Sequence, residues 1–234
     1  MASFVNVVAL RYGSGLSSIK GESRCLACNT ELKAIHLVPI LSYLFLRGRC
    51  TYCHSRLSPQ YLLIEIISGL AIVYLYSQFF HLSIFAFLLL STIYYILTTI
   101  FLYDLRHKII PDLFVFLFIL FSFLYSFFFS SLHTTYYILS TILVPLPFFL
   151  IWLFSRGRLL GLGDVKLMAG MGALLGLAQG FSAVFVSFWV GAACVIILMT
   201  VNRKLNMKSE IPFGPFLIIG TILTFCFNIN LFKF

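Results

Sequence analysis

Charge is what this chain has least of. Of its 234 residues only 10% are Asp, Glu, Lys or Arg, and just 7 are acidic. A soluble domain carries about a quarter charged residues and about half apolar ones. Here 61% are hydrophobic and the mean hydropathy is +1.05. So few charges cannot cover a folded surface in water, which excludes an ordinary soluble domain. The start lacks a basic segment followed by an apolar stretch and a small-residue cleavage site, so no cleavable signal peptide is expected. Glycine-rich dinucleotide loops after a strand are also missing, which excludes a soluble Rossmann unit.

What is present is long apolar sequence, with 27 Phe and 12 Tyr. Apolar runs fall at about 60–80, 83–103, 109–129, 136–154, 165–181, 182–201 and 211–231. Each approaches the roughly 20 residues that a helix needs to cross a bilayer. The fold class expected is an all-α polytopic membrane protein with about seven to eight transmembrane helices. Met1 to Leu10 is apolar too, but as a helix it would cover only about 15 Å, so a partial first membrane helix is expected there.

The formal charge of +9 invites a nucleic-acid partner, but its placement argues for topology instead. All of the 16 basic residues but Lys233 gather in four segments: Arg11, Lys20, Arg24, Lys33, Arg47, Arg49 and Arg56; Arg106 and Lys108; Arg156, Arg158 and Lys166; Arg203, Lys204 and Lys208. The intervening connections near 81, 130–135 and 181 hold no Lys or Arg. Basic residues concentrate on cytoplasmic loops, so all four segments are expected on the cytoplasmic side of an inner membrane. No nucleic-acid partner is expected.

Cys25-Leu26-Ala27-Cys28 and Cys50-Thr51-Tyr52-Cys53 form two CxxC pairs. Two residues between thiols let both reach one ion, and a second knuckle completes a tetrahedral zinc site. With four thiolates and no open position, such a zinc would staple a polar loop rather than catalyse. His54 is a possible stand-in ligand. Cys194 and Cys226 lie in apolar runs and read as small buried hydrophobes.

With so few acidic residues, each can be weighed singly. Glu22 and Glu31 belong to the cysteine loop, Glu210 to the last basic segment, and Glu65 lies inside the run that starts near Tyr61. Asp104 ends one run, and Asp164 follows Gly161-Leu162-Gly163. Both lie at the cytoplasmic ends of expected spans, so they share a depth. An ionisable group at membrane depth is a functional hypothesis by default. Two such carboxyls in contact share one proton, one acting as base on a water and the other as acid. The plainer reading is a wetted interface beside Arg106, Lys108 and Lys166, and charge alone leaves both open. Asp112 is a rival for a place in the pair, but it follows Pro111, which favours a first helical turn where the helix dipole stabilises it. Gly170-Met171-Gly172 with Gly176 reads as small residues that let membrane helices pack closely.

Taken in order, the motifs resemble the type IV prepilin peptidases, also called leader peptidases. The resemblance runs through Ser3-Phe4-Val5-Asn6-Val7-Val8, Pro39-Ile40-Leu41-Ser42-Tyr43, Leu46-Arg47-Gly48-Arg49-Cys50 and Tyr61 to Glu65. It continues through Asp104 with Ile109-Ile110-Pro111-Asp112, Gly161-Leu162-Gly163-Asp164-Val165-Lys166-Leu167, and Ile211-Pro212-Phe213-Gly214-Pro215-Phe216. Leu26 stands where the family usually has proline, and the leading apolar segment is short. The resemblance implies cleavage of the leader from type IV prepilins or pseudopilins, with Asp104 and Asp164 as the catalytic pair. It implies Cys25, Cys28, Cys50 and Cys53 as metal ligands. It also implies methylation of the new N-terminus with S-adenosylmethionine, and a type IV pilus or type II secretion setting. Glu65 is a loose candidate for the methylating function.

Three domains are expected: 1–10 as the partial helix, 11–58 as a cytoplasmic zinc-binding loop, and 59–234 as a transmembrane aspartic peptidase domain. Membrane lipid is an expected partner. Rival functions are a proton-coupled transporter using Asp104 and Asp164, a non-catalytic zinc-stapled scaffold, and a general intramembrane protease. A transporter predicts acidic groups near mid-membrane, whereas these stand at span ends.

Overall fold

The computed structural model describes residues 8, 12, 25, 27–28, 30–31, 38, 40–81, 83–129, 134–201 and 211–232. The expected partial first helix lies outside the described residues apart from Val8, as do Glu22, Glu210 and the basic cluster Arg203, Lys204 and Lys208. The regular elements among the described residues are helices, with an isolated antiparallel bridge between Arg49 and Arg56. Two compact units are present, Met1–Ser91 and Thr92–Phe234.

The first unit holds the short helix α1 (Leu41–Phe45) and α2 (Pro59–Leu75), which continues as a π-helical turn over Tyr76–Phe80. Pro59 opens α2 because its missing N–H has no partner to lose there. The Ser58 hydroxyl accepts the Gln60 N–H at 3.3 Å, satisfying one of the orphan donors. Leu63, Ile67, Leu70 and Val73 stand exposed along α2. In water that stripe would be costly, whereas a helix crossing a bilayer carries such side chains without penalty.

Helix α3 (Ile84–His107) starts in the first unit and ends in the second. The second unit adds α4 (Asp112–Phe129), α5 (Thr134–Leu143), α6 (Leu146–Ser155), α7 (Leu162–Val201) and α8 (Gly214–Phe227). Pro145 has no N–H to donate, so the apolar stretch Thr134–Ser155 breaks there into α5 and α6. Helix α7 packs against α4, α5 and α8 and forms the centre of this unit.

As a straight rod, the 40 residues of α7 would extend about 60 Å, twice the hydrocarbon thickness. They do not form one. Gly176 has φ 78° and ψ −173°, a region that essentially only glycine occupies. A methyl group placed on Gly180 would lie 3.5 Å from Gly172 Cα, although residues eight apart in one helix are separated by about 12 Å. The chain therefore turns back at Gly176, and α7 is two limbs, 162–175 and 177–201. The break expected near 181 falls five residues earlier. Unbroken hydropathy cannot mark it, because only the backbone freedom of one glycine makes the turn. Tyr136 covers it from α5, its hydroxyl accepting the Leu177 N–H at 3.1 Å.

Among the described residues, five helical stretches are long and apolar enough to cross a bilayer, and Gly214–Phe227 is a shorter apolar helix. The chain is thus an all-α, multi-pass membrane protein. Its interior is closed by small residues, as the glycine pattern predicted. A Cβ on Gly170 would strike the Phe118 ring, and one on Gly172 would strike the Ser140 carbonyl. Between such close helices Ser126 donates to the Ala173 carbonyl at 2.6 Å, the kind of interhelical bond that holds bundles together in lipid.

Candidate active site and metal centre

Asp104 lies in the last turn of α3 and is buried, at 4% exposure. After His107 the chain reverses through Lys108, whose backbone is left-handed (φ 54°) and whose N–H caps the Asp104 carbonyl at 2.8 Å. That turn carries Ile110 and Pro111 back over the helix end. Asp164 is the third residue of α7, so Gly161 occupies the capping position before it. The backbone N–H of Gly161 donates to the Asp164 carboxylate, half of a capping box. Asp104 receives the corresponding bond from the N–H of Gly214, the first residue of α8. Each carboxylate is thus seated on the N-terminal end of a helix, where free N–H groups and the helix dipole favour negative charge.

The two carboxyls are within electrostatic reach of each other. Ile110 packs between the helix starts beside them. A Cβ on Gly163 would lie 3.0 Å from Ile110 Cβ, and one on Gly214 would lie 3.1 Å from Ile110 Cδ1 and overlap the Asp104 carboxylate. Ile110 therefore wedges between the starts of α7 and α8, the two helices whose N-termini hold the aspartates. The two glycines before Asp164, having no Cβ, leave room beside its carboxylate. The structure gives that room to the chain's own atoms: Gly163 accommodates Ile110, and Gly161 lies against the Asp164 carboxylate.

Neither Ile110 nor Gly214 was assigned a role from sequence. Both stand inside quoted motifs, but an aliphatic residue and a glycine among so many others carry no chemical signature.

Asp112 sits in the first turn of α4, as expected, and bonds Lys166 Nζ at 2.8 Å. That pair is open to solvent, with side chains 73% and 40% exposed. It ties α4 to α7 beside the aspartates without entering the buried pair.

In the first unit, Cys25, Cys28, Cys50 and Cys53 bring their Sγ atoms within 4.8 Å of one another, and none is in a disulfide. The two knuckles are built alike. Cys25 N–H donates to the Thr30 carbonyl at 3.0 Å, and Cys50 N–H to the Ser55 carbonyl at 2.9 Å. A tetrahedral ion with Zn–S bonds of 2.3 Å sets sulfurs roughly 3.8 Å apart, and Cys25 Sγ to Cys53 Sγ is 3.8 Å. Backbone amides of Cys28 and Ala27 draw the Cys25 thiol down to about 6, toward the thiolate a metal requires. The four thiols can hold a metal ion such as zinc. His54 is not among them; it lines a neighbouring cleft with Arg47 and Arg49. Glu65, the loose methylation candidate, accepts the Ile40 N–H at 2.8 Å.

Two family profiles match this chain: the bacterial peptidase A24 N-terminal domain over residues 1–79, and the type IV leader peptidase family over residues 91–196. A prepilin leader peptidase/N-methyltransferase of Burkholderia pseudomallei is 30% identical over 212 residues, covering 88% of this chain and 67% of its own. The chain belongs to the type IV leader peptidase family. Proteins of the same description from Legionella pneumophila and Dichelobacter nodosus are 30% and 28% identical, over 86% and 88% of this chain and 70% and 71% of theirs. No solved structure matches. Within this family member the second profile spans both Asp104 and Asp164, and the first spans all four knuckle cysteines.

Proposed function

We propose that the chain is a membrane aspartic endopeptidase that removes the N-terminal leader from type IV prepilins or pseudopilins, with Asp104 and Asp164 as its catalytic pair. The observation that carries this reading is the convergence of the two carboxyls, each on a helix N-terminus, at the ends of their spanning helices. In such a pair one carboxyl holds the shared proton. The ionised partner takes a proton from the attacking water, and the protonated one donates to the leaving nitrogen. The positive-inside distribution supports a cytoplasmic face of the inner membrane for this chemistry, within a proposed peptidase domain covering 59–234 and with 11–58 as the proposed zinc-binding loop. Pilus assembly and type II secretion are the settings this substrate class implies. The transporter reading is weaker, because no acidic pair stands near mid-span among the described residues.

Cys25, Cys28, Cys50 and Cys53 would hold Zn²⁺ as a staple with no position free for substrate. Methylation of the trimmed N-terminus follows from the relatives' description. Among its described residues the cleft beside the knuckle carries Arg47, Arg49 and His54 and no carboxylate, a lining unsuited to the sulfonium of S-adenosylmethionine.

The test is cleavage of a prepilin peptide in membranes by wild type, Asp104→Asn and Asp164→Asn. Loss of a positioned acid or base costs about 10²–10⁴-fold, and each variant is expected to lose at least that much while still inserting. Wild-type cleavage by either variant would remove that residue from the pair.

A further inference from the structure

Helix α1 and the second knuckle present an unusual surface. Leu41, Leu44 and Phe45 on α1 stand 53%, 60% and 83% exposed. Just beyond them Arg47, Arg49, Thr51 and His54 line a cleft of about 410 Å³, together with Phe45 and Leu46. Arg49 is bridged directly opposite Arg56, which sets two guanidinium side chains on one face. Like charges opposite each other are destabilising there, and neither arginine has a carboxylate partner among the described residues. An anion between them would reverse the sign of that interaction.

The position of this surface decides which anion. The Ile40 N–H at the start of α1 bonds Glu65, a residue already inside the apolar span Leu62–Phe80. Arg56 precedes the start of α2 by three residues. Helix α1 and the arginines therefore stand at the depth where that span meets the headgroups. A dissolved anion would satisfy the arginines but leave Leu41, Leu44 and Phe45 in water. A phospholipid surface satisfies both.

We infer that this face docks on anionic phospholipid, with the apolar side chains of α1 entering the acyl boundary and the Arg49–Arg56 pair sharing a lipid phosphate. The docking orients the cysteine loop against its own membrane and does not depend on the aspartates. An arginine at an anionic surface contributes about fivefold to such an equilibrium, and the pair about thirtyfold.

The test uses the full chain in nanodiscs of phosphatidylcholine alone, or mixed with phosphatidylglycerol. Amide hydrogen exchange is followed over residues 41–57. Exchange slows in the mixed discs, the slowing is lost at high salt, and Arg49→Gln with Arg56→Gln returns it toward the neutral-lipid level, a change of about thirtyfold. Phe45→Ser raises exchange in both lipids. Equal exchange of the wild type in the two lipids would overturn the inference, whatever the variants do. So would equivalent slowing in neutral discs by inorganic phosphate or by S-adenosylmethionine, which would make the cleft a soluble-ligand site. Equal metal content in wild type and the glutamine variant excludes loss of the knuckle as the cause.

Discussion

Replacing Gly214 with alanine probes the candidate site without touching either carboxylate. The added Cβ overlaps the Asp104 carboxylate and lies 3.1 Å from Ile110 Cδ1. Asp104 is buried and takes its hydrogen bond from the same residue's N–H. Two reliefs are available. The carboxylate rotates away and forfeits a charge-assisted bond worth about 1.5–3 kcal/mol, or α8 slides outward by about 1 Å. A displacement of that size at a reacting group costs about 100-fold in rate, or roughly 2.7 kcal/mol of barrier. We expect kcat/KM for prepilin cleavage to fall about 100-fold, mainly through kcat. Thermal stability falls by no more than the roughly 1–3 kcal/mol of an overpacked core. Gly69→Ala is the control, because a Cβ there meets nothing within 4 Å and cleavage should be unchanged. Cleavage by Gly214→Ala within about threefold of wild type would refute the tight seating of Asp104 on α8.

Other substitutions separate the remaining roles. Asp112→Asn should retain cleavage within about fivefold, since an ion pair this exposed contributes about 0–1 kcal/mol; a loss as deep as that of Asp104→Asn would make Asp112 part of the machinery. Cys50→Ser removes a buried ligand. Bound metal, measured by elemental analysis of the purified chain, should fall by more than the roughly 10–100-fold that outer-shell changes cause. Gly176→Ala forces a side chain into a glycine-only backbone region and against Tyr136. Thermal unfolding in detergent should show a loss of about 1–3 kcal/mol, with the metal site unaffected.

Much of this protein was legible in the residue order because its strongest signals are local. A run of apolar residues needs lipid whatever surrounds it, so α2, α3, α4 and the α5–α6 stretch could be placed from composition alone. Two residues between thiols bring both to one ion by chain geometry, which is why Cys25, Cys28, Cys50 and Cys53 were identifiable before any contact was known. Scarcity did the same for Asp104 and Asp164, since a rare carboxyl at a span end stands out against an apolar background. Tertiary structure alone decided the rest. Hydropathy is continuous across Gly176, and only its backbone angles show that α7 turns back on itself. The wedge of Ile110 between Gly163 and Gly214, and the seating of Asp104 on the N–H of Gly214, join segments more than 50 residues apart. No local propensity encodes such meetings. They depend on which helices lie side by side, and that is settled by the close packing of small residues across the whole bundle.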